Sequence, residues 1–148
     1  MISRHRAKAM GEIIIPVQLE NAVDRALQRR GVLPEDQVRQ LSVQAVVDTG
    51  AVMLVLPQDV VHKLGLTTQR SVLVRYADER TEERSVAEIV TLTIGDRAMT
   101  TECIVGPPLS EPLIGQIVLE RLDLLADCQN RQLIPRPESP YYPLLKLK

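Results

Sequence analysis

The chain has 148 residues, of which 45% are hydrophobic and 25% charged, and its formal net charge at pH 7 is −1. This length and composition predict one globular domain and argue against intrinsic disorder. The near-neutral charge and the absence of Phe and Trp argue against a nucleic-acid-binding protein, which usually needs a basic groove and aromatic stacking platforms.

The chain is predicted to begin with a flexible basic arm, residues 1–11, which carries Arg4, Arg6 and Lys8. No apolar stretch follows this arm as it does in a secretory signal. No stretch reaches the roughly 20 apolar residues that span a bilayer. We therefore expect a cytoplasmic protein that does not bind a membrane.

The first half of the chain alternates β-branched and polar residues in several short runs, which is typical of strands. Pro57 and Gly65 bracket a short segment in the way that proline and glycine bracket a helix. Strands are predicted at residues 12–19, 38–47 and 52–56, a helix-like fragment at 22–30 and a short helix at 58–64.

The second half continues with strands and one clear helix, in which Val118, Leu119 and Leu122 lie three or four residues apart. Strands are predicted at residues 71–76, 85–94, 98–105 and 131–135, and the helix at 117–126. Many short strands with one late helix predict an all-β, barrel-like fold. The domain is predicted over residues 12–135, followed by a proline-rich tail over residues 136–148.

The candidate functional site is Asp48, because it ends an apolar strand in the sequence Asp48-Thr49-Gly50-Ala51. A carboxylate at the tip of a hydrophobic strand is costly to bury unless neighbours hydrogen-bond it or its chemistry needs the environment. The structural alternative is an Asx turn in which Asp48 only satisfies backbone amides. The Asp-Thr-Gly sequence occurs once.

Two further features follow Asp48 along the chain. The first is a charged hairpin over residues 77–82, with Tyr76 at its base, and the second is Leu113-Ile114-Gly115 directly before the late helix. If Asp48 only formed a structural turn, there would be no reason to expect either of these two features.

This order of motifs resembles the retropepsin-like aspartic proteases over roughly residues 12–135. The small bacterial members are the most similar, because they contain runs like Leu-Ile-Gly-Gln at 113–116 and Leu-x-x-Leu-Asp-Leu at 119–124. The resemblance implies an acid-protease barrel with one lobe per chain, and a short helix after Leu-Ile-Gly.

The resemblance also implies an aspartic endopeptidase that works as a homodimer on a peptide or protein substrate. Asp48 of each subunit is then catalytic, and the two carboxylates activate a water between them. The implied supporting residues of the loop are Thr49, Gly50 and Ala51. The implied substrate-binding residues are Tyr76, Ala77 and Asp78 in a covering hairpin and Leu113, Ile114 and Gly115 beside the loop. No metal and no cofactor are expected.

A competing hypothesis is a non-catalytic retropepsin-like module for dimerisation or peptide binding. Hairpins of the family often carry glycine at the tip, whereas this chain has Asp78-Glu79-Arg80. The alternative for Tyr76 is a cross-strand packing residue.

Two further predictions concern the end of the chain. Asp123 and Asp127 lie four residues apart on the predicted helix, where they are expected to be solvated. Residues 141–145 of the tail either lie in the substrate groove and restrain activity, form a strand at the dimer interface, or are disordered.

Overall fold

The computed structural model describes residues 12–147, and the predicted basic arm, residues 1–11, lies outside the described residues. The strands are β1 (Ile14–Asn21), β2 (Gln40–Val47), β3 (Val55–Pro57), β4 (Thr67–Arg75), β5 (Thr81–Ile94), β6 (Arg97–Gly106), β7 (Leu113–Ile114), β8 (Leu124–Asp127) and β9 (Gln132–Pro135). The helices are α1 (Ala22–Arg29), α2 (Gln58–Leu64) and α3 (Gln116–Leu122), and residues Glu35–Gln37 form one 3-10 turn.

Six of these strands close into a barrel. The strand order is β1-β2-β7-β3-β6-β5-β4, and a further pairing of β1 with β5 completes the ring. β4 therefore lies outside the ring and pairs with β5, while β8 and β9 form a separate two-stranded sheet. The predicted all-β barrel with one lobe per chain is confirmed.

The barrel interior is filled by aliphatic side chains, because the chain has no Phe or Trp to fill it. In β1 every second residue points inward, so that Ile15, Val17 and Leu19 are buried while their neighbours face solvent. Burial of each such side chain contributes about 1.5–3 kcal/mol. The core continues through Leu54, Leu56, Leu64, Val90, Leu92, Ile114, Val118 and Leu122.

The late helix, α3, is shorter than the predicted 117–126, and this changes the environment of Asp123 and Asp127. α3 ends at Leu122 because Asp123 adopts a left-handed conformation with φ 58°. The residues that follow pack against the core from strand β8 instead of a helix face. The prediction that Asp123 and Asp127 share a solvated helix face is wrong, since Asp123 is buried.

The other boundaries differ from the predictions by a few residues. α2 is found as predicted, ended by Gly65 in the left-handed region at φ 65°. The strand predicted at 52–56 begins at Val55, because the residues before it belong to the loop that follows Asp48. In the described part of the chain, no helix combines the length and the apolar character that crossing a bilayer requires.

Candidate active site

Asp48 lies directly after the last residue of β2, and main-chain hydrogen bonds hold it in place. Its amide donates to the carbonyl of Ile114 at 2.9 Å, and its carbonyl accepts from the amide of Ala51 at 3.0 Å. The amide of Gly50 donates to Asp48 Oδ1 at 3.0 Å. This geometry is that of an Asx turn, so the local contacts fit both the catalytic and the structural interpretation of Asp48.

The start of α3 supports the loop from the other side. The amides of Gln116 and Ile117 donate to the carbonyls of Ala51 and Val52 at 2.8 and 2.9 Å. Amides in the first turn of a helix have no partner within the helix. These bonds therefore give the first amides of α3 their acceptors and at the same time hold the loop against the helix.

Gly115 allows this close approach. A Cβ added there would lie 2.4 Å from the carbonyl oxygen of Met53 and 2.8 Å from that of Ala51. The structure therefore brings the loop 48–51 and residues 113–115 together, as two neighbouring parts of one site.

The tip of the loop 48–51 is exposed to solvent. Thr49 and Gly50 are exposed, while Asp48 and Ala51 are half-buried. Within residues 12–147, no group of three His, Cys, Asp or Glu side chains could hold a metal ion.

The tip of the predicted covering hairpin is a compact turn. The amide of Tyr76 donates to the carbonyl of Arg80 at 2.8 Å, and the amide of Arg80 donates to Asp78 Oδ1 at 3.1 Å. Glu79 takes the left-handed conformation at φ 70° that glycine usually supplies. The turn thus forms without a glycine.

Tyr76 makes most of its contacts within the hairpin. Its ring lies 4.4 Å from the guanidinium carbon of Arg80, and its hydroxyl donates to Glu82 at 3.0 Å. Arg84 also donates to Glu82, at 2.7 Å. The Tyr76 hydrogen bond, followed by that of Arg84, lowers the pKa of Glu82 below its usual value. The contacts of Tyr76 with Arg80 and Glu82 are those of a cross-strand packing residue.

The hairpin extends beyond the barrel. Residues 81–85 of β5 pair only with β4, whereas β6 and β1 pair with later residues of β5. Among the described residues, no hydrogen bond or ion pair joins Tyr76, Ala77 or Asp78 to the loop 48–51. A substrate-binding role for these three residues stays a prediction.

A cavity of about 520 Å³ opens beside the loop. Thr49 and tail residues 144–146 are among the residues that line it. Residues of α3 and β8 also line it, among them Gln116, Glu120 and Leu125, together with Asp123 and Arg136.

The sequence analysis missed the group that fixes the tail beside this cavity. The carboxylate of Asp123 accepts from Arg136, from the hydroxyl of Ser139 and, at 2.9 Å, from the amide of Leu144. These donors, Arg136 first, hold the pKa of Asp123 well below its usual range. Residues beyond β9 form neither helix nor strand up to residue 147, so this carboxylate organises the tail.

Buried Arg97 completes the same group, which we call the tail clamp (Arg97, Asp123, Arg136 and Ser139). Its guanidinium donates to the carbonyls of Leu122 at 2.8 Å, Asp123 at 3.1 Å and Ser139 at 2.5 Å. The burial of Arg97 could have been predicted from the alternation in β6, because Arg97 lies on the same inward face of the strand as Met99. That register puts a guanidinium inside the protein, where it needs carbonyl partners.

Residues 37–121 match the family described as gag-polyprotein putative aspartyl protease. A retropepsin-like aspartic protease from Rickettsia conorii is 20% identical, with 78% of this chain and 84% of that chain covered and a TM-score of 0.46. No curated protein matches. Because the family match spans more than half of the chain and includes Asp48, the resemblance drawn from the motifs is confirmed, and the chain belongs to this family of gag-polyprotein putative aspartyl proteases.

Proposed function

We propose that this protein is an aspartic endopeptidase that acts as a homodimer, with Asp48 of each copy forming the catalytic pair. The observation that carries the proposal is the single Asp-Thr-Gly loop at the end of β2. It lies within the family match and is held by main-chain hydrogen bonds from two sides. Peptide or protein chains are the proposed substrates.

The chemistry requires two carboxylates side by side. Such a pair holds one proton, because two adjacent negative charges repel each other. The ionised member takes a proton from the bound water, and the protonated member donates to the carbonyl oxygen of the scissile bond. A chain with one Asp-Thr-Gly supplies one carboxylate, and a two-fold axis beside Asp48 supplies its mate.

The loop suits this role. The Gly50 amide donates to Oδ1 of Asp48, and among the described residues no side chain or amide donates to Oδ2. One oxygen is therefore oriented, and the other stays available for a water or for the second carboxylate. The exposed Thr49 and Gly50 let a second copy approach the loop.

The test is cleavage of a random peptide library between about pH 3 and 8, with the mass in solution measured in parallel. Asp48→Asn is expected to lower cleavage by at least about 10³-fold, since in the homodimer it removes both the acid and the base of the pair. Asp36→Asn is the matched control, because Asp36 is exposed in the 3-10 turn away from the loop. It is expected to cleave as the wild type does.

The expected pH profile is bell-shaped, because activity needs one protonated and one ionised carboxylate in the pair. The active species is expected to have the mass of a dimer. Cleavage that survives Asp48→Asn, or full activity in a monomer, contradicts the shared pair.

The hairpin favours a second candidate function, a peptide-binding module without turnover. Its turn has no glycine, and the hydrogen bond from Tyr76 to Glu82 joins its two sides, which opposes the opening and closing that turnover usually needs. Peptide binding by the wild type without Asp48-dependent cleavage supports this candidate. Turnover that appears in Glu79→Gly but not in Glu79→Asn identifies stiffness as the cause, since both residues tolerate positive φ.

A further inference from the structure

Glu12 carries a carboxylate oxygen that is buried and has no hydrogen-bond partner in the described part of the chain. The side chain as a whole is half-buried, and the oxygen is Oε1. Three other glutamates of the barrel, Glu20, Glu82 and Glu102, each bind an arginine. A carboxylate oxygen that loses water without gaining a donor costs free energy. Glu12 is therefore suited to receive a positively charged donor from another molecule.

The pairing of β1 with β2 brings Glu12 to the candidate active site. The two strands are antiparallel, and just before the loop the Val47 amide donates to the carbonyl of Ile13 at 2.9 Å. The same register, continued by one residue, puts Glu12 opposite Asp48. Side chains directly opposite each other in an antiparallel pair lie on the same face, with Cβ atoms about 4.5–5.5 Å apart.

The alternation along β1 assigns Glu12 to the outer face of the barrel. Ile13 and Ile15 are buried inside the barrel, whereas Ile14 is 44% exposed on the outer face. Because every second residue shares a face, Ile14 is the neighbour of Glu12 on that face. A carboxylate beside an exposed aliphatic side chain suits Lys or Arg, whose methylene groups cover apolar surface while the charged end reaches a polar group.

The loop beside Glu12 provides no counter-ion of its own. Residues 48–51 include no Lys or Arg, and the exposed residues that flank the loop, Val52 and Ile117, are apolar. In the proposed function the scissile bond is held at Asp48. A side chain opposite Asp48 therefore faces the substrate residues that flank this bond, and one of them can supply the missing positive charge.

We infer that Glu12 is a specificity-determining residue that binds the side chain of a Lys or Arg beside the scissile bond of a peptide substrate. The inference rests on the proposed endopeptidase function. A bond between two charged groups is stronger than a neutral hydrogen bond, and more so where water is partly excluded. A neutral substrate residue leaves the buried oxygen of Glu12 unpaired, so the same carboxylate disfavours such substrates.

The test compares kcat/KM for two peptides that differ at one position. The sequences that the wild type cleaves in the random library give the position beside the scissile bond at which Lys or Arg is enriched. One peptide carries Lys at that position and the other carries Gln. The wild type is expected to cleave the Lys peptide at least about tenfold better. In Glu12→Gln the ratio is expected to fall to about one, because an amide carries no charge.

Two further variants separate specificity from stability. Glu12→Lys is expected to reverse the preference, so that a peptide with Glu at the same position is cleaved better than the Gln peptide. Asp96→Asn is the matched control, because Asp96 is exposed in the turn between β5 and β6, and it is expected to keep the wild-type ratio. A variant that is only less stable loses activity on both peptides together, which leaves the ratio unchanged. Circular dichroism checks that each variant is folded.

Each other outcome overturns the inference. A wild type whose cleaved sequences show no enrichment of Lys or Arg, or a ratio that survives Glu12→Gln, overturns it and leaves the proposed function standing. A dimer that weakens in Glu12→Gln while the ratio keeps its wild-type value also overturns it, because Glu12 then binds the second copy. A wild type without Asp48-dependent cleavage overturns the proposed function and this inference together.

Discussion

Two irregular segments line the same cavity, and the structure holds them by different means. The Asp48 loop is fixed by main-chain hydrogen bonds and by the close passage of Gly115. The tail is fixed by the charged side chains of the tail clamp. Main-chain hydrogen bonds contain no titratable group, so the support of the loop depends little on pH. The close contact at Gly115 makes the loop sensitive to any added side-chain volume there. The tail clamp is built on the carboxylate of Asp123, so it depends on charge.

Gly115→Ala is expected to break the loop side of this comparison with the largest effect. Its backbone, at φ −93°, is open to any residue, so the whole penalty comes from a Cβ only 2.4 Å from the Met53 carbonyl oxygen. Because backbone must shift, we expect a loss of about 3 kcal/mol in the free energy of unfolding. Urea denaturation measures it.

Gly50→Ala is the matched control, since it adds the same methyl group at a second glycine of the candidate active site. That Cβ meets only Asp48 Oδ1, at 3.2 Å, and a half-buried carboxylate can move. The expected loss is below about 1 kcal/mol. Equal losses for both variants contradict the view that Gly115 is the tight contact of the loop.

Arg97→Met is expected to break the tail side, with a smaller effect. The buried guanidinium donates to three carbonyls, and its removal leaves them without that donor. We expect a loss of about 2 kcal/mol in the free energy of unfolding, together with faster hydrogen exchange of the Leu144 amide.

Arg121→Met is the control for the loss of a positive charge, because Arg121 is exposed on α3. It is expected to change stability by less than about 0.5 kcal/mol. If Arg97→Met leaves the exchange of the Leu144 amide at the wild-type rate, the clamp does not order the tail.

The two segments also differ in how far the sequence predicts them. The loop is encoded locally, because Asp48 and Gly50 are two residues apart and their hydrogen bond follows from that spacing. Leu113-Ile114-Gly115 carried its own signal, a glycine between a strand and a helix. The barrel was predictable for the same reason, since alternation within each strand marks the buried face.

The tail clamp had no such local signal. Its residues come from β6, the end of α3 and the tail, and only the folded chain brings them together. The apolar periodicity through Leu125 favoured a longer helix, and the left-handed conformation of Asp123 interrupts it. A carboxylate whose donors lie 13 to 21 residues away reads in sequence as an ordinary solvated charge.

The smallest effect is expected from pH, and it sharpens the comparison because the tail is held by side-chain donors on the Asp123 carboxylate, whereas the Asp48 loop is held mainly by main-chain hydrogen bonds. The folded-state pKa of Asp123 is lowered, first by Arg136. The unfolded chain therefore takes up a proton near the ordinary value of about 3.9 while the folded chain does not. The stability that Asp123 contributes is fully present above that pH and is lost as the pH falls below it.

Thermal unfolding of the wild type and of Asp123→Asn should accordingly differ most at neutral pH, and the gap should narrow between about pH 4 and 3. Other carboxylates titrate in both proteins, so the difference between the two curves isolates Asp123. In Arg136→Gln the main cause of the lowered Asp123 pKa is gone. The stability difference that Asp123→Asn causes in that background should therefore change less with pH than it does in the wild type. A gap of constant size from pH 7 to 3 contradicts the charge-based clamp, because it means that an amide serves at position 123 as well as a carboxylate does.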